Sequence, residues 1–160
     1  FDMVHLDVWG PCTISSHSGY KYYISFIDDF SRMTWLYLLR ERSEVFSTFQ
    51  TFYNEIHIQF SISVKCLRSD NGREYLSTPF RQFLQTKGIL HQTSCPDTPQ
   101  QNGVAERKHR HIIETVRALL FHRQVPLLFW GDVILTATYF INRLPSSIIQ
   151  GETPFRALFS

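Results

Sequence analysis

Asp7, Asp70 and Glu106 are the three carboxylates whose placement suggests chemistry. Asp7 interrupts an apolar strand pattern, where Asp is disfavoured. Asp70 stands immediately before Asn71-Gly72, at a strand end. Glu106 opens a helix rich in Arg, Lys and His. Unpaired carboxylates brought together repel one another, and a divalent cation removes that cost. Mg²⁺ takes oxygen ligands and keeps room for water and a phosphate oxygen. Two such ions about 3.5–4 Å apart activate an attacking oxygen and stabilise a leaving one during phosphodiester exchange. Five basic residues follow Glu106 (Arg107, Lys108, Arg110, Arg117 and Arg123), with His109, His111 and His122 beside them. A face of this kind holds phosphates even on a chain whose net charge is only +2.

Each acid also has an ordinary reading. Asp70 suits a turn, and Glu106 suits a helix start or an ion pair with Arg110 four residues on. Asp28 and Asp29 form a rival acidic pair, but they fall in a hairpin connection where Asp is common. His91 and Cys95 have the spacing of half a zinc site, yet no second pair accompanies them. Cys12, Cys66 and Cys95 are scattered, which argues against a disulfide framework and favours a reducing compartment. No G-x-S-x-G occurs and Cys95 has no evident oriented base, which disfavours a Ser or Cys hydrolase. No apolar run reaches the roughly 20 residues of a membrane span.

The elements that must position these residues can be read from periodicity. In MVHLDVW, Val4, Leu6 and Val8 point one way, and His5, Asp7 and Trp9 the other. KYYISFID and MTWLYLLR are two further strands joined by a short connection. A helix is predicted over residues 44–58, with Val45, Phe49, Phe52 and Ile56 on one face. SVKCLRSD is a short strand, followed by a helix over 80–87 and the strand ILHQT. The long helix after Gly103 carries a buried stripe of Ala105, His109, Ile112, Val116 and Leu119, with Glu106 on its shoulder. A last helix is predicted over 127–143, with Trp130, Ile134, Ala137 and Ile141 aligned. The order βββαβαβαα implies an α/β fold: an antiparallel meander, then two strands added in parallel through helical crossovers. Residues 1–160 read as one domain, and hydrophobic residues at 43% supply a core for it. Sites in such sheets form outside strand ends, which places Asp7 and Asp70 together.

Thirty-five residues separate Asp70 from Glu106, and with Asp7 this resembles the D…D-35-E pattern of retroviral and retrotransposon integrases. HLDVWGP, FIDDFSR, RSDNGREYLS, GILHQTSCPDTPQQNGVAERKHRHIIETVRALL, YFINRLP and the closing TPF resemble the integrase catalytic core of copia-type LTR retrotransposons, the DDE superfamily. The resemblance covers essentially the whole chain. It implies an RNase H-like fold with a five-stranded mixed sheet flanked by helices. It also implies 3′-end processing and strand transfer that integrate element cDNA into host DNA. Asp7, Asp70 and Glu106 match the family's catalytic metal ligands, with Mg²⁺ or Mn²⁺ as cofactor, two ions being expected. The stretch from Pro96 to Gly103 resembles the loop beside the active site. Gln101, Asn102 and Arg110 become expected DNA contacts, as does Lys108 on the opposite flank of the helix, facing solvent or a second DNA segment. The family further implies a homo-oligomer on DNA ends and work in the nucleus after assembly in a cytoplasmic particle. It also implies a longer polyprotein carrying a zinc domain and a DNA-binding tail outside these residues. An inactive or domesticated DNA-binding module, or an RNase H-like nuclease or transposase, are the competing expectations.

Overall fold

The computed structural model describes residues 1–93 and 102–159. Five strands form one sheet: β1 (Val4–Trp9), β2 (Tyr22–Asp28), β3 (Thr34–Leu39), β4 (Cys66–Ser69) and β5 (Leu90–Thr93). Their spatial order is β3-β2-β1-β4-β5. The meander β1-β2-β3 is antiparallel, and β4 and β5 add in parallel beside β1. Helices α1 (Val45–Phe60), α2 (Thr78–Lys87), α3 (Gly103–Arg123), α4 (Trp130–Ile141) and α5 (Pro154–Phe159) complete the chain.

Strand β1 lies at the centre of the sheet and is covered on both sides. Its alternation assigns the faces as expected. Val4, Leu6 and Val8 enter the core beneath α1 and α2, together with Ile24, Phe26, Phe49, Phe52 and Phe80. Phe26 and Phe52 stack there with ring centroids 4.3 Å apart. The opposite face joins Tyr23 to Ile112, Val116, Trp130, Ile134, Ala137 and Ile141 of α3 and α4, with Trp9 packed against them. Burying both faces is what a sheet with helical crossovers requires. It also buries His5, whose Nε2 is satisfied by Asp29 at 2.9 Å.

Two local devices fix the frame of the site. Gly10 follows Trp9 with φ +130°, and a Cβ there would lie 2.5 Å from Tyr22 Cδ1 and 2.7 Å from the Lys21 carbonyl oxygen. Only glycine fits both the angle and the space. At the other end of the meander, edge strand β3 begins against Asn142, just past α4. The Asn142 Nδ2 donates to the Thr34 carbonyl at 2.8 Å, and its Oδ1 accepts from the Thr34 N–H at 3.0 Å. A buried side-chain amide thus closes the sheet edge as a further strand would.

Three boundaries differ from expectation. Helix α2 begins two residues early because Ser77 is extended and Pro79 occupies its first turn, where the missing N–H is harmless. The helix predicted over 127–143 divides into a 3₁₀ turn, Leu127–Phe129, and α4. Pro126 precedes that turn, and Asn142 leaves the helix to serve β3. Helix α5 was not anticipated; Thr153 Oγ1 accepts the Arg156 N–H at 3.2 Å, with Pro154 in the first turn.

Candidate active site

Helix α3 packs across α4 and the face of β1 that carries Asp7. Ala105, Ile112 and Val116 are buried as the stripe requires, and Glu106 is left exposed on its shoulder. From there the helical repeat sets His109, Arg110, Ile113, Glu114 and Arg117 along one line. These residues, with Asp7 and Glu106, wall an open groove of about 390 Å³. Arg110 therefore stands in the groove, as expected. Arg117 belongs to the basic run noted in the sequence, whereas Glu114 carried no expected role, although spacings of eleven and eight from Glu106 put both on its face.

Asp7 is the acid most altered by its surroundings. Its carboxyl is pushed up to about 6, first by burial, then by the charge of Asp70 and, to a smaller extent, of Glu106. A backbone hydrogen bond at Val8 and the Arg42 guanidinium act in the opposite direction. Asp7 thus feels both other acids at one end of the sheet, although all three are remote in sequence. Asp70 lies just beyond β4, parallel to β1, so the pairing of the two strands delivers it there. It is exposed, and its Oδ1 accepts the Gly72 N–H at 2.9 Å. The turn role and the nearness to Asp7 coexist in one residue.

His109 links the groove to a cluster of aromatic rings. Trp9 and Tyr23 are cross-strand partners that stack at 5.4 Å. The His109 ring lies 5.7 Å from Tyr23 and 5.9 Å from Trp9. The Tyr23 hydroxyl is hydrogen-bonded to His109 Nδ1. Burial, with the Asp7 charge adding to it, holds the Tyr23 phenol well above its ordinary range. Tyr75 is likewise buried, with its hydroxyl unpartnered, and it feels both Asp7 and Asp70. Neither tyrosine is marked in the sequence as part of a site, because each reads as an ordinary core aromatic.

An all-carboxylate donor set suits a hard divalent cation. The shell is not closed, however: among the described residues no three His, Cys, Asp or Glu side chains form a group that could hold a metal ion as they stand. The rival acids are otherwise engaged. Asp28 accepts from the Ser31 N–H and hydroxyl at 2.8 and 2.7 Å, and Asp29 pairs with His5 and Arg32. His91 shares a hydrogen bond with Ser69 at 2.9 Å. Cys95, Gln101 and the stretch from Pro96 to Gln101 lie outside the described residues.

The remaining expected contacts have different placements. Asn102 stands at the N-cap position of α3 without a side-chain capping hydrogen bond; it is 6% exposed, with Oδ1 unpartnered. Lys108, expected to face solvent or a second DNA segment, is turned inward. Its ammonium donates to the Arg32 carbonyl at 3.2 Å. Burial, with the Arg32 charge adding to it, lowers it to about 8. The reason is geometric: at about 100° per residue, Lys108 falls on the flank that packs against the β2–β3 turn.

The sheet order and the helices are those of an RNase H-like fold, with the cluster of acids at one end of its sheet. Residues 1–99 match the family model described as integrase core domain, and the chain belongs to that family. It is 45% identical over 155 residues to the retrovirus-related Pol polyprotein from transposon TNT 1-94 of Nicotiana tabacum, covering 97% of this chain and 12% of that protein. It is 43% identical over 158 residues to the corresponding polyprotein from transposon RE1 of Arabidopsis thaliana, covering 99% and 11%. The chain thus spans about a tenth of the length of these curated relatives. Among solved structures, it resembles the HTLV-2 integrase catalytic core domain in complex with magnesium (trimeric form), with TM-score 0.67 and 21% identity, covering 97% of this chain and 94% of that one. It also resembles a chain of the simian T-cell lymphotropic virus intasome in complex with PP2A regulatory subunit B56 gamma, with TM-score 0.78 and 18% identity, covering 99% and 54%. Both likenesses concern the fold.

Proposed function

We propose that residues 1–160 are the catalytic core of a retrotransposon integrase, one domain of a longer polyprotein, that trims the 3′ ends of element DNA and joins them to target DNA. The observation that carries this reading is the convergence of three acids: Asp7 and Glu106 wall one groove, and the charge of Asp70 acts on Asp7. Asp7 and Asp70 would hold a divalent cation, Mg²⁺ or Mn²⁺, with a second ion between Asp7 and Glu106. When bound, the cations supply charge neutralisation at the phosphate and activate the attacking oxygen. Asp70 and Glu106 are exposed, so each can turn toward Asp7, which is fixed in the central strand.

The other groove residues have separable tasks. Arg110 and Arg117 grip backbone phosphates as fixed cations. The Trp9–Tyr23–His109 stack holds the backbone of α3 against β1, the strand that carries Asp7. In the first step water attacks the phosphorus near the strand end and the bond to the 3′-oxygen of the element strand breaks, so that the terminal nucleotides depart carrying the phosphate and a 3′-hydroxyl is left. In the second the new 3′-hydroxyl attacks a target-strand phosphorus, forming a new phosphodiester as the bond to the target's own 3′-oxygen breaks and that oxygen leaves as a hydroxyl. Each is an in-line displacement at phosphorus with no covalent bond to the protein. The domain would act as a homo-oligomer on two DNA ends, in the nucleus.

The test uses labelled branched DNA, the product of the joining step. The isolated domain should resolve it in Mn²⁺ or Mg²⁺, with strand rejoining among the products. Asp70→Asn should reduce that activity by at least about 10³-fold, the order expected when a principal electrostatic group is lost. Cleavage without any rejoined strand would indicate a plain nuclease. Activity retained in Asp70→Asn would refute the site.

A further inference from the structure

Helix α3 has a second cationic flank, turned away from the acidic groove. Arg32, Arg107, Lys108 and His111 line a cavity of about 410 Å³, closed by Val104, Ser146 and Ile148. No residue is shared with the groove of Asp7 and Glu106. Arg32, Arg107 and Lys108 are cationic at neutral pH, and no carboxylate lines the cavity. Asp29 offsets Arg32 from outside, at 3.2 Å from its Nη1. No acid is paired with Arg107 or Lys108 among the described residues. The Arg32 Nε is buried without a hydrogen-bond partner. Lys108 spends one hydrogen on the Arg32 carbonyl, which sets its ammonium at the wall.

Cations are rarely drawn together beneath a surface without an anion to receive, because burial and mutual repulsion both penalise the arrangement. Arg and Lys donors that converge on a small concavity fit a tetrahedral oxyanion. We propose that this cavity is a phosphate site for the backbone of a DNA segment outside the catalytic groove, so that α3 is gripped on both flanks. The inference rests on the integrase reading for its choice of DNA. A small free anion has the same chemistry and is separated from DNA by the experiment.

The experiment measures duplex binding by anisotropy across a salt series, for the wild-type domain, Arg107→Gln, and Arg107→Gln/Lys108→Gln. Each lost phosphate contact should flatten the slope of log affinity against log salt by about 0.9, so by about 2 for the double variant. Resolution of branched DNA should show a KM raised about ten-fold with kcat retained, the pattern of lost ground-state binding. Arg107 is exposed, which keeps the test sound if loss of Lys108 impairs folding. Wild-type binding with unchanged slope and KM in both variants would overturn the phosphate site and leave the integrase reading in place. No duplex binding by the wild type would overturn both. Inorganic phosphate that shifts the signals of Arg107 and Lys108, where duplex DNA does not, would also overturn the assignment to a DNA backbone.

Discussion

In the metal-free chain the Asp7 carboxyl titrates near 6, against 3.8 for an ordinary Asp, chiefly through burial and secondarily through Asp70. The folded state therefore binds more protons than the unfolded state between those values. The Asp7 contribution to stability is therefore fully present below about pH 4, falls as pH rises toward 6, and is level above it. The open side of the groove tempers the full shift, so the difference is on the order of 1–3 kcal/mol. Asp7→Asn should remove that slope and be more stable than wild type at pH 7. Denaturant unfolding at pH 4 and pH 7 measures it, and parallel pH profiles would contradict it. Added Mg²⁺ should raise the melting temperature of wild type and leave Asp7→Asn unmoved, since ligand binding to the native state stabilises it. At this scale the sequence was informative where a residue broke its local pattern. Asp7 in an apolar strand stood out. Tyr23 and Tyr75 did not, because an aromatic beside a site and an aromatic in a core have the same periodicity.

Elements fix what single residues cannot. The Gly10 turn and the Asn142 bridge hold the two ends of the meander from which Asp7 projects. Asn142→Ala would leave a buried N–H and C=O of Thr34 without partners, at a cost of about 2–4 kcal/mol. Urea unfolding of the variant checks this, and a loss below about 0.5 kcal/mol would mean that the bridge is not structural. Gly10→Ala meets Tyr22 and Lys21 at impossible distances, so it should lower stability by at least about 2 kcal/mol and weaken metal-dependent cleavage with it. Strands and helices were legible because their hydrophobic period survives in the sequence. The division near Leu127, the start of α5 and the Asn142 bridge were not. They depend on Pro126, on Thr153-Pro154 and on a contact between residues 34 and 142 that no local window contains. The inward turn of Lys108 was hidden for the same reason: its flank was known, but the turn that packs against that flank was not.

The whole molecule is a sheet with two cores, and only one of them serves the site. The core beneath α1 and α2 supports β1 from behind. Phe52→Ala there should cost about 3–5 kcal/mol while leaving the chemistry unchanged in whatever fraction stays folded. The core beneath α3 and α4 positions Glu106 over Asp7, so losses there should reduce cleavage and stability together. What joins the two halves is the parallel pairing of β1 with β4, which sets Asp70 beside Asp7 across a long stretch of sequence. The order of strands and crossovers foretold that meeting; the open spacing of the acids could not be read from it. Closure of those acids around a cation is the central claim, and diffraction at the manganese edge from crystals soaked in Mn²⁺ tests it most directly. An anomalous peak is expected between the carboxylates of Asp7 and Asp70, with Glu106 drawn toward it. A peak elsewhere, or none there at saturating Mn²⁺, would contradict it.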